Sequence, residues 1–284
     1  MDAKQPRILP TAPAVPALCQ TEPMTIVLIA IAAYLLAAGL LVAQVARDSR
    51  TTHGWLLPAV AGVVLHAAHH VRDWQVAGGA DLHFYAALSL AGLGMAALTA
   101  LYGASGRMQA LGVVVFPLAA VTLLGDALTA HVAGAVLDWR LQLHAWCALL
   151  AYATLAIAAL LAVMLWLQER ALRRRDYHHW LRALPPLTEL ESLLFRTIAV
   201  GFVLLSATLL TGALFVHDMF AQHLAHKTVF SVLSWLAFGV LLLGHWRRGW
   251  RGATAVRWTL VAMGLLVVAF FGSKFVLELV LQRG

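Results

Sequence analysis

The sequence has little charge and little cysteine for its length. Only 12% of its 284 residues are charged and 62% are hydrophobic, whereas soluble domains carry roughly 25% and 45–50%. These proportions exclude a water-soluble globular domain and an intrinsically disordered chain. Two cysteines, Cys19 and Cys147, are too few for a disulfide scaffold or a thiolate metal cluster. There is also no C-x-x-C-H motif for covalently attached c-type haem.

The apolar residues fall into runs that suit a membrane. A helix needs about 20 mostly apolar residues to cross the hydrocarbon core. Leu, Ala and Val dominate these runs, and scattered glycines would let the helices approach closely in lipid. We therefore predict an all-α integral membrane bundle of eight transmembrane helices in a single domain, 24–283, embedded in the lipid bilayer. The runs are Met24–Ala46, Gly54–Val71, Phe84–Tyr102, Met108–Ala130, Leu141–Leu167, Leu193–Val216, Thr228–His245 and Ala253–Val280.

Two segments lie outside the predicted spans. Residues 1–23 contain Pro and Ala without an apolar core, which predicts a disordered tail and no signal peptide. Because Met24 opens the first span, both Met1 and Met24 are candidate translation starts. The longest connection, Gln168–Ser192, predicts a cytoplasmic basic loop that divides the bundle into five helices and three.

The basic residues predict the orientation of the bundle. Lys and Arg accumulate in cytoplasmic loops, and thirteen of the 20 lie after spans 1, 3, 5 and 7 or at the same ends of other spans. This bias predicts that both termini lie on the outer side of a bacterial inner membrane. Because the net charge of +7 is scattered between apolar runs, we expect no nucleic-acid partner.

Thirteen histidines are unusual in so apolar a chain. Ionisable residues at membrane depth are costly and are functional candidates, and histidine serves in metal or haem ligation and proton handling. On the predicted topology, four histidines approach one outer level: His66, His144, His217 and His226. His245 lies nineteen residues beyond His226 on span 7, roughly 28 Å along the axis. The spacing predicts a main outer site and an inner one, where His53 or solvent would accompany His245.

Other histidines have a simpler interpretation. The run His66-Ala-Ala-His69-His70 places imidazoles one turn apart, a spacing that suits a divalent metal. We find no paired carboxylate or thiolate in that span to complete a catalytic zinc set, so zinc hydrolase chemistry is not expected. Histidines at helix ends also form hydrogen bonds in the interface, and we assign this role to His69, His70, His83, His131 and His223. We identify no catalytic residue and expect no enzyme.

The C-terminal half carries recognisable motifs in a fixed order. Leu143-His144-Ala145 is followed by Leu184-Pro185-Pro186-Leu187 and by Thr211-Gly212-Ala213-Leu214-Phe215. Gly244-His245-Trp246 and Gly249-Trp250-Arg251-Gly252 come next, with Phe271-Gly272-Ser273-Lys274 in span 8. From Leu141 to the end, this order resembles the cytochrome c assembly (CcsA/CcmC-type) membrane proteins, and within them the YpjD/HemX-like subgroup. Over spans 1–4 the resemblance is weaker, and His66 matches a histidine of the subgroup's second span.

The resemblance implies a haem-handling membrane protein. His144 matches the first outer ligand position, and His245 matches a histidine at the inner end of the penultimate core helix. Two features depart from the family pattern: the outer segment Val216–Lys227 contains no Trp, and Gly272–Glu278 lacks the second outer histidine. Our own hypothesis is that His217 or His226 replaces the missing ligand.

These observations predict a haem-binding inner-membrane protein with an accessory role in cytochrome c assembly or haem homeostasis. Its cofactor would be haem b, ligated axially by His144 with His217 or His66 opposite. Haem and other cytochrome c assembly proteins are the expected partners. The alternatives are a regulator or partner subunit without haem, a small-molecule transporter, and a quinol-linked b-type cytochrome with haem between His66 and His144.

Overall fold

Eight long helices make up the part of the chain that the structure describes. The structure, a computed structural model, describes residues 18–46, 53–77, 82–104, 109–129, 138–174, 185–215 and 222–272. Single 3₁₀ turns precede two helices, at His53–Trp55 and Gln109–Leu111, and a π-helical turn, Val268–Gly272, continues the last one. The helices are α1 (Leu18–Ala46), α2 (Leu56–Ala77), α3 (Phe84–Gly103), α4 (Gly112–Ala127), α5 (Trp139–Arg173), α6 (Leu187–Phe215), α7 (Gln222–Arg248) and α8 (Gly252–Val267).

The eight predicted spans are confirmed as helices, but several helices are longer than predicted, and the end of span 8, 273–280, lies outside the described residues. All eight are long and apolar enough to cross a membrane. α1 begins at Leu18, within the predicted tail, and residues 1–17 lie outside the described residues. α5 continues to Arg173 and α6 begins at Leu187, so both ends of the predicted loop 168–192 are helical, while 175–184 lie outside the described residues. A helix satisfies its own backbone hydrogen bonds, so it can continue past the apolar run that predicts it.

The bundle consists of two groups of four helices. In the first, α1 packs on α2 and α4, and α3 packs on α4; in the second, α5 packs on α6 and α8, and α7 packs on α8. Contacts between α3 and α5 join the two groups. The longest connection, which has five helices before it and three after it, is therefore not a boundary between packed groups. The length of a connection does not decide which helix faces pack, and α5 packs closely against α6 although the longest connection separates them.

Large apolar side chains face outward and polar ones lie inside. Leu28, Leu36 and Val64 are more than half exposed on α1 and α2, as expected for surfaces in contact with lipid. The interior between the first four helices instead buries imidazoles and a carboxylate, among them His66 and Asp126. Polar groups in a membrane interior cost free energy unless they are paired with other polar groups. We therefore expect polar partners for these buried side chains.

Candidate functional sites in the two halves of the bundle

His144 lies near the start of α5 and faces α6. Its Nδ1 is 3.2 Å from the Thr211 hydroxyl. That hydroxyl donates to the backbone carbonyl of Ala207 at 2.8 Å, so its oxygen accepts from the imidazole Nδ1–H. Nε2 therefore keeps its lone pair. A histidine that donates one ring N–H and offers the other nitrogen is the arrangement typical of a metal or haem ligand.

The surroundings of His144 combine close packing, aromatic rings and a cation. A Cβ at Gly212 would lie 3.2 Å from His144 Cε1, so the absence of a side chain there lets the imidazole approach α6. At the same end of these helices the rings of Trp139 and Phe215 lie 6.0 Å apart. The Arg140 guanidinium lies 5.6 Å and 5.8 Å from the two ring centroids. This end of the bundle thus offers an imidazole beside an aromatic surface with one positive charge.

His245, at the end of α7, is held in a similar way. Its Nδ1 donates to the backbone carbonyl of Trp250 at 2.9 Å, which leaves the lone pair on Nε2. Its ring stacks on Phe195 of α6, with centroids 3.5 Å apart and planes inclined by 15°. Phe195 and Thr211 are sixteen residues apart on α6, about 24 Å along the helix. His245 and His144 therefore lie at opposite ends of the bundle and cannot ligate one iron.

His66 belongs to the other half of the bundle. It is fully buried on α2. Its Nδ1 lies 3.2 Å from the Tyr34 hydroxyl of α1, and its Nε2 lies 2.8 Å from the Ser89 hydroxyl of α3. Both ring nitrogens are thus within hydrogen-bonding distance of neighbouring helices of the first group, whereas His144 contacts α6. The structure does not bring His66 and His144 together, which removes the support for a haem between them.

One turn beyond His66, His69 and Asp73 of α2 form a cluster with Asp126 of α4. The sequence did not predict this cluster. His69 Nε2 is 3.2 Å from Asp126 Oδ2 on α4 and 3.2 Å from Asp73 Oδ2 on α2. His69 is only 4% exposed, and His70 Nδ1 lies 3.9 Å from Asp126 Oδ2. His69 and His70 thus have polar partners on neighbouring helices, and the interfacial role predicted for them stays a prediction. Our search for carboxylates within span 2 missed Asp126 because helix packing brings it there from span 4.

Two predicted ligands lie outside the part of the chain that the structure describes in full. His217 falls in 216–221, between α6 and α7. His226 belongs to α7, but its side chain is outside the described residues. The replacement of the missing outer ligand by either histidine stays a prediction.

Comparison with known proteins identifies the family. The sequence model of the family described as cytochrome C assembly protein matches residues 82–281. The chain belongs to this family. The match in this cytochrome c assembly protein runs from the start of α3 past α8, so it includes His144 and His245 and excludes α1 and α2.

Individual relatives agree with the family. The inner membrane protein YpjD of Escherichia coli K12 is 36% identical over 138 residues, 48% of this chain and 52% of that protein. An uncharacterised 28.8 kDa protein of Azospirillum brasilense is 38% identical over 143 residues, 50% of this chain and 53% of that one. The cytochrome c biogenesis protein CcsA of Chlamydomonas reinhardtii is 26% identical over 137 residues, 47% of this chain and 36% of that protein.

The matches cover only part of this chain and part of each relative. The chain spans about half the length of the YpjD and Azospirillum proteins that it matches. No solved structure matches the chain. Eight membrane-length helices and the likeness to an inner membrane protein confirm the predicted multi-pass inner-membrane localisation.

Proposed function

We propose that this cytochrome c assembly family member is a haem-binding inner-membrane protein without catalytic activity of its own. Its role would be accessory, in cytochrome c assembly or in haem homeostasis, with haem and other assembly proteins as partners. The observation that carries the proposal is the geometry of His144: Thr211 accepts its Nδ1–H, and Nε2 keeps a lone pair. His144 Nε2 would hold haem b by its iron, and the haem would supply an iron centre that the protein carries or passes on.

The residues around His144 fit such a group. The rings of Trp139 and Phe215 provide apolar surface for a porphyrin, and Arg140 provides a cation of the kind that pairs with carboxylates such as the haem propionates. In this proposal His217 or His226 would be the second histidine that holds the haem. His245, whose Nδ1–H is held by the Trp250 carbonyl, would be an inner position for haem in transit.

The orientation of the bundle is part of the same proposal. We infer from the excess of Lys and Arg after spans 1, 3, 5 and 7 that both termini lie outside. His144 then lies near the outer surface, and His245 lies near the cytoplasm.

Spectroscopy of His144→Ala tests the haem site. The full-length protein is purified in detergent from cells supplied with ample haem, and pyridine haemochrome and reduced-minus-oxidised spectra are recorded. We expect b-type haem in the wild type and loss of its Soret band in His144→Ala, because the variant has no imidazole to bind the iron. The matched control is Tyr102→Ala, since Tyr102 is exposed and belongs to no proposed haem site.

Two results would contradict the proposal. Unchanged haem content in His144→Ala would remove His144 as a ligand. A colourless wild type would remove haem binding altogether and favour a haem-free regulator or partner subunit, a function that the missing outer tryptophans also suit.

A further inference from the structure

We propose that His69, Asp73 and Asp126 form a binding site for a divalent transition-metal ion, Zn²⁺ or Mn²⁺, in the first half of the bundle. The three candidate ligand atoms all lie within 4.8 Å of one another. His69 Nε2 is 3.2 Å from each carboxylate oxygen. Metal–ligand bonds of about 2.0–2.2 Å place neighbouring ligand atoms roughly 3.0–3.5 Å apart, and the two separations from His69 Nε2 lie in this range.

The charges of the cluster favour a cation. His69 Nε2 carries at most one hydrogen, which cannot point along a straight line to two carboxylates at once. Two carboxylates that face one buried imidazole also concentrate negative charge where water is scarce, and Asp126 is only 1% exposed. A divalent cation at this point would neutralise both carboxylates and use the Nε2 lone pair.

The donor types and the surroundings select the class of ion. An imidazole nitrogen with two carboxylate oxygens suits Zn²⁺ or Mn²⁺ better than Mg²⁺ or Ca²⁺, which take mainly oxygen ligands. His70 supports the cluster from the side: its Nε2 is 3.0 Å from the Ser89 hydroxyl, and its Nδ1 is 3.9 Å from Asp126. Such outer partners orient metal ligands.

An entry path reaches the cluster. Asp73 and His70 line a cleft of about 140 Å³ between α2, α3 and α5, together with Trp74, Gln142 and Trp146. The Asp73 side chain is 24% exposed, whereas Asp126 lies behind it. An ion can therefore meet Asp73 first and be enclosed by His69 and Asp126.

Metal binding is measured on untagged, full-length protein in detergent after treatment with a chelator. ZnCl₂ and MnCl₂ are titrated separately by isothermal calorimetry, and the bound metal is counted by mass spectrometry of the elements. We expect one equivalent of one of these ions in the wild type. We expect Asp126→Asn to weaken binding by more than about 100-fold, since loss of an outer partner alone costs about 10–100-fold.

Matched variants separate loss of ligands from loss of fold. Asp138→Asn and His53→Gln change exposed residues outside the cluster and should bind as the wild type does. Asp73→Asn removes the more exposed ligand, so it tests the site if Asp126→Asn fails to fold. The visible bands of bound Co²⁺ provide a second readout, which should be present in the wild type and lost in Asp73→Asn.

Two outcomes would overturn the metal site. One is a wild type that binds neither ion, which would leave hydrogen bonds between His69 and the carboxylates as the explanation of the cluster. The other is binding in Asp126→Asn and Asp73→Asn that equals the wild type. His144→Ala should keep the site intact, so failure of the metal proposal and failure of the haem proposal are distinguishable.

Discussion

At the scale of single residues, His144 and His245 are oriented by the same kind of hydrogen bond. Each ring donates its Nδ1–H to an oxygen of the protein, the Thr211 hydroxyl in one case and the Trp250 carbonyl in the other. The tautomer and the ring orientation are thereby set before any ligand arrives. Because the imidazole ring is already held in place, it loses less rotational freedom when a ligand binds Nε2. This favours affinity.

Thr211 is therefore a positioning residue for the proposed haem. Thr211→Val keeps the shape of the side chain and removes the acceptor, so the His144 ring loses its fixed orientation. We expect haem affinity to fall by about 10–100-fold, as for other partners of metal ligands. The measurement is a haem titration followed at the Soret band. Thr197→Val is the control, because the Thr197 hydroxyl bonds to Leu193 of its own helix; equal affinities in the two variants would contradict the role of Thr211.

At the scale of helices, the pairing of α5 with α6 depends on a small residue. An added Cβ at Gly201 would overlap the side chain of Leu155, at 2.7 Å from its Cγ. Membrane helices lack a hydrophobic force that draws them together, and close backbone approach at small residues replaces it. Because His144 and Thr211 lie on this pair of helices, the same packing maintains the contact between them.

We expect Gly201→Ala to destabilise the bundle. Overpacking of a tight contact costs about 1–3 kcal/mol, which should lower the midpoint of thermal unfolding in detergent. Gly264→Ala is the matched control, because a Cβ there meets nothing within 4 Å. That variant should be neutral or stabilising, since Ala favours a helix over Gly by about 1 kcal/mol. A Gly201→Ala protein as stable as Gly264→Ala would show that α5 and α6 tolerate a wider separation.

The helices could be predicted from the sequence because their signal is local. Each apolar run is enough to indicate that its segment lies in lipid. All eight runs correspond to membrane-length helices in the structure. Pairings between helices have no local signal: His69 and Asp126 are 57 residues apart, and neither segment indicates the other. The same limit explains why the length of a connection does not reveal which helices pack, and why the sequence did not pair His69 with Asp126.

At the scale of the whole molecule, the charge bias predicts the direction of every helix. In a background of Cys19→Ser and Cys147→Ser, single cysteines are placed at two exposed positions, Asp138→Cys before α5 and Arg248→Cys at the end of α7. A membrane-impermeant maleimide should label Asp138→Cys in intact spheroplasts and Arg248→Cys only after lysis. The opposite pattern would invert the bundle and move the His144 site to the cytoplasmic side.

The family match includes only one residue of the cluster formed by His69, Asp73 and Asp126. His69 and Asp73 lie on α2, before the matched residues begin at 82, whereas Asp126 lies on α4 within them. The α1–α2 hairpin lies outside the matched region, which contains both His144 and His245. The proposed cation site therefore joins a helix outside the family match to a helix within it, whereas the proposed haem site lies on matched helices alone.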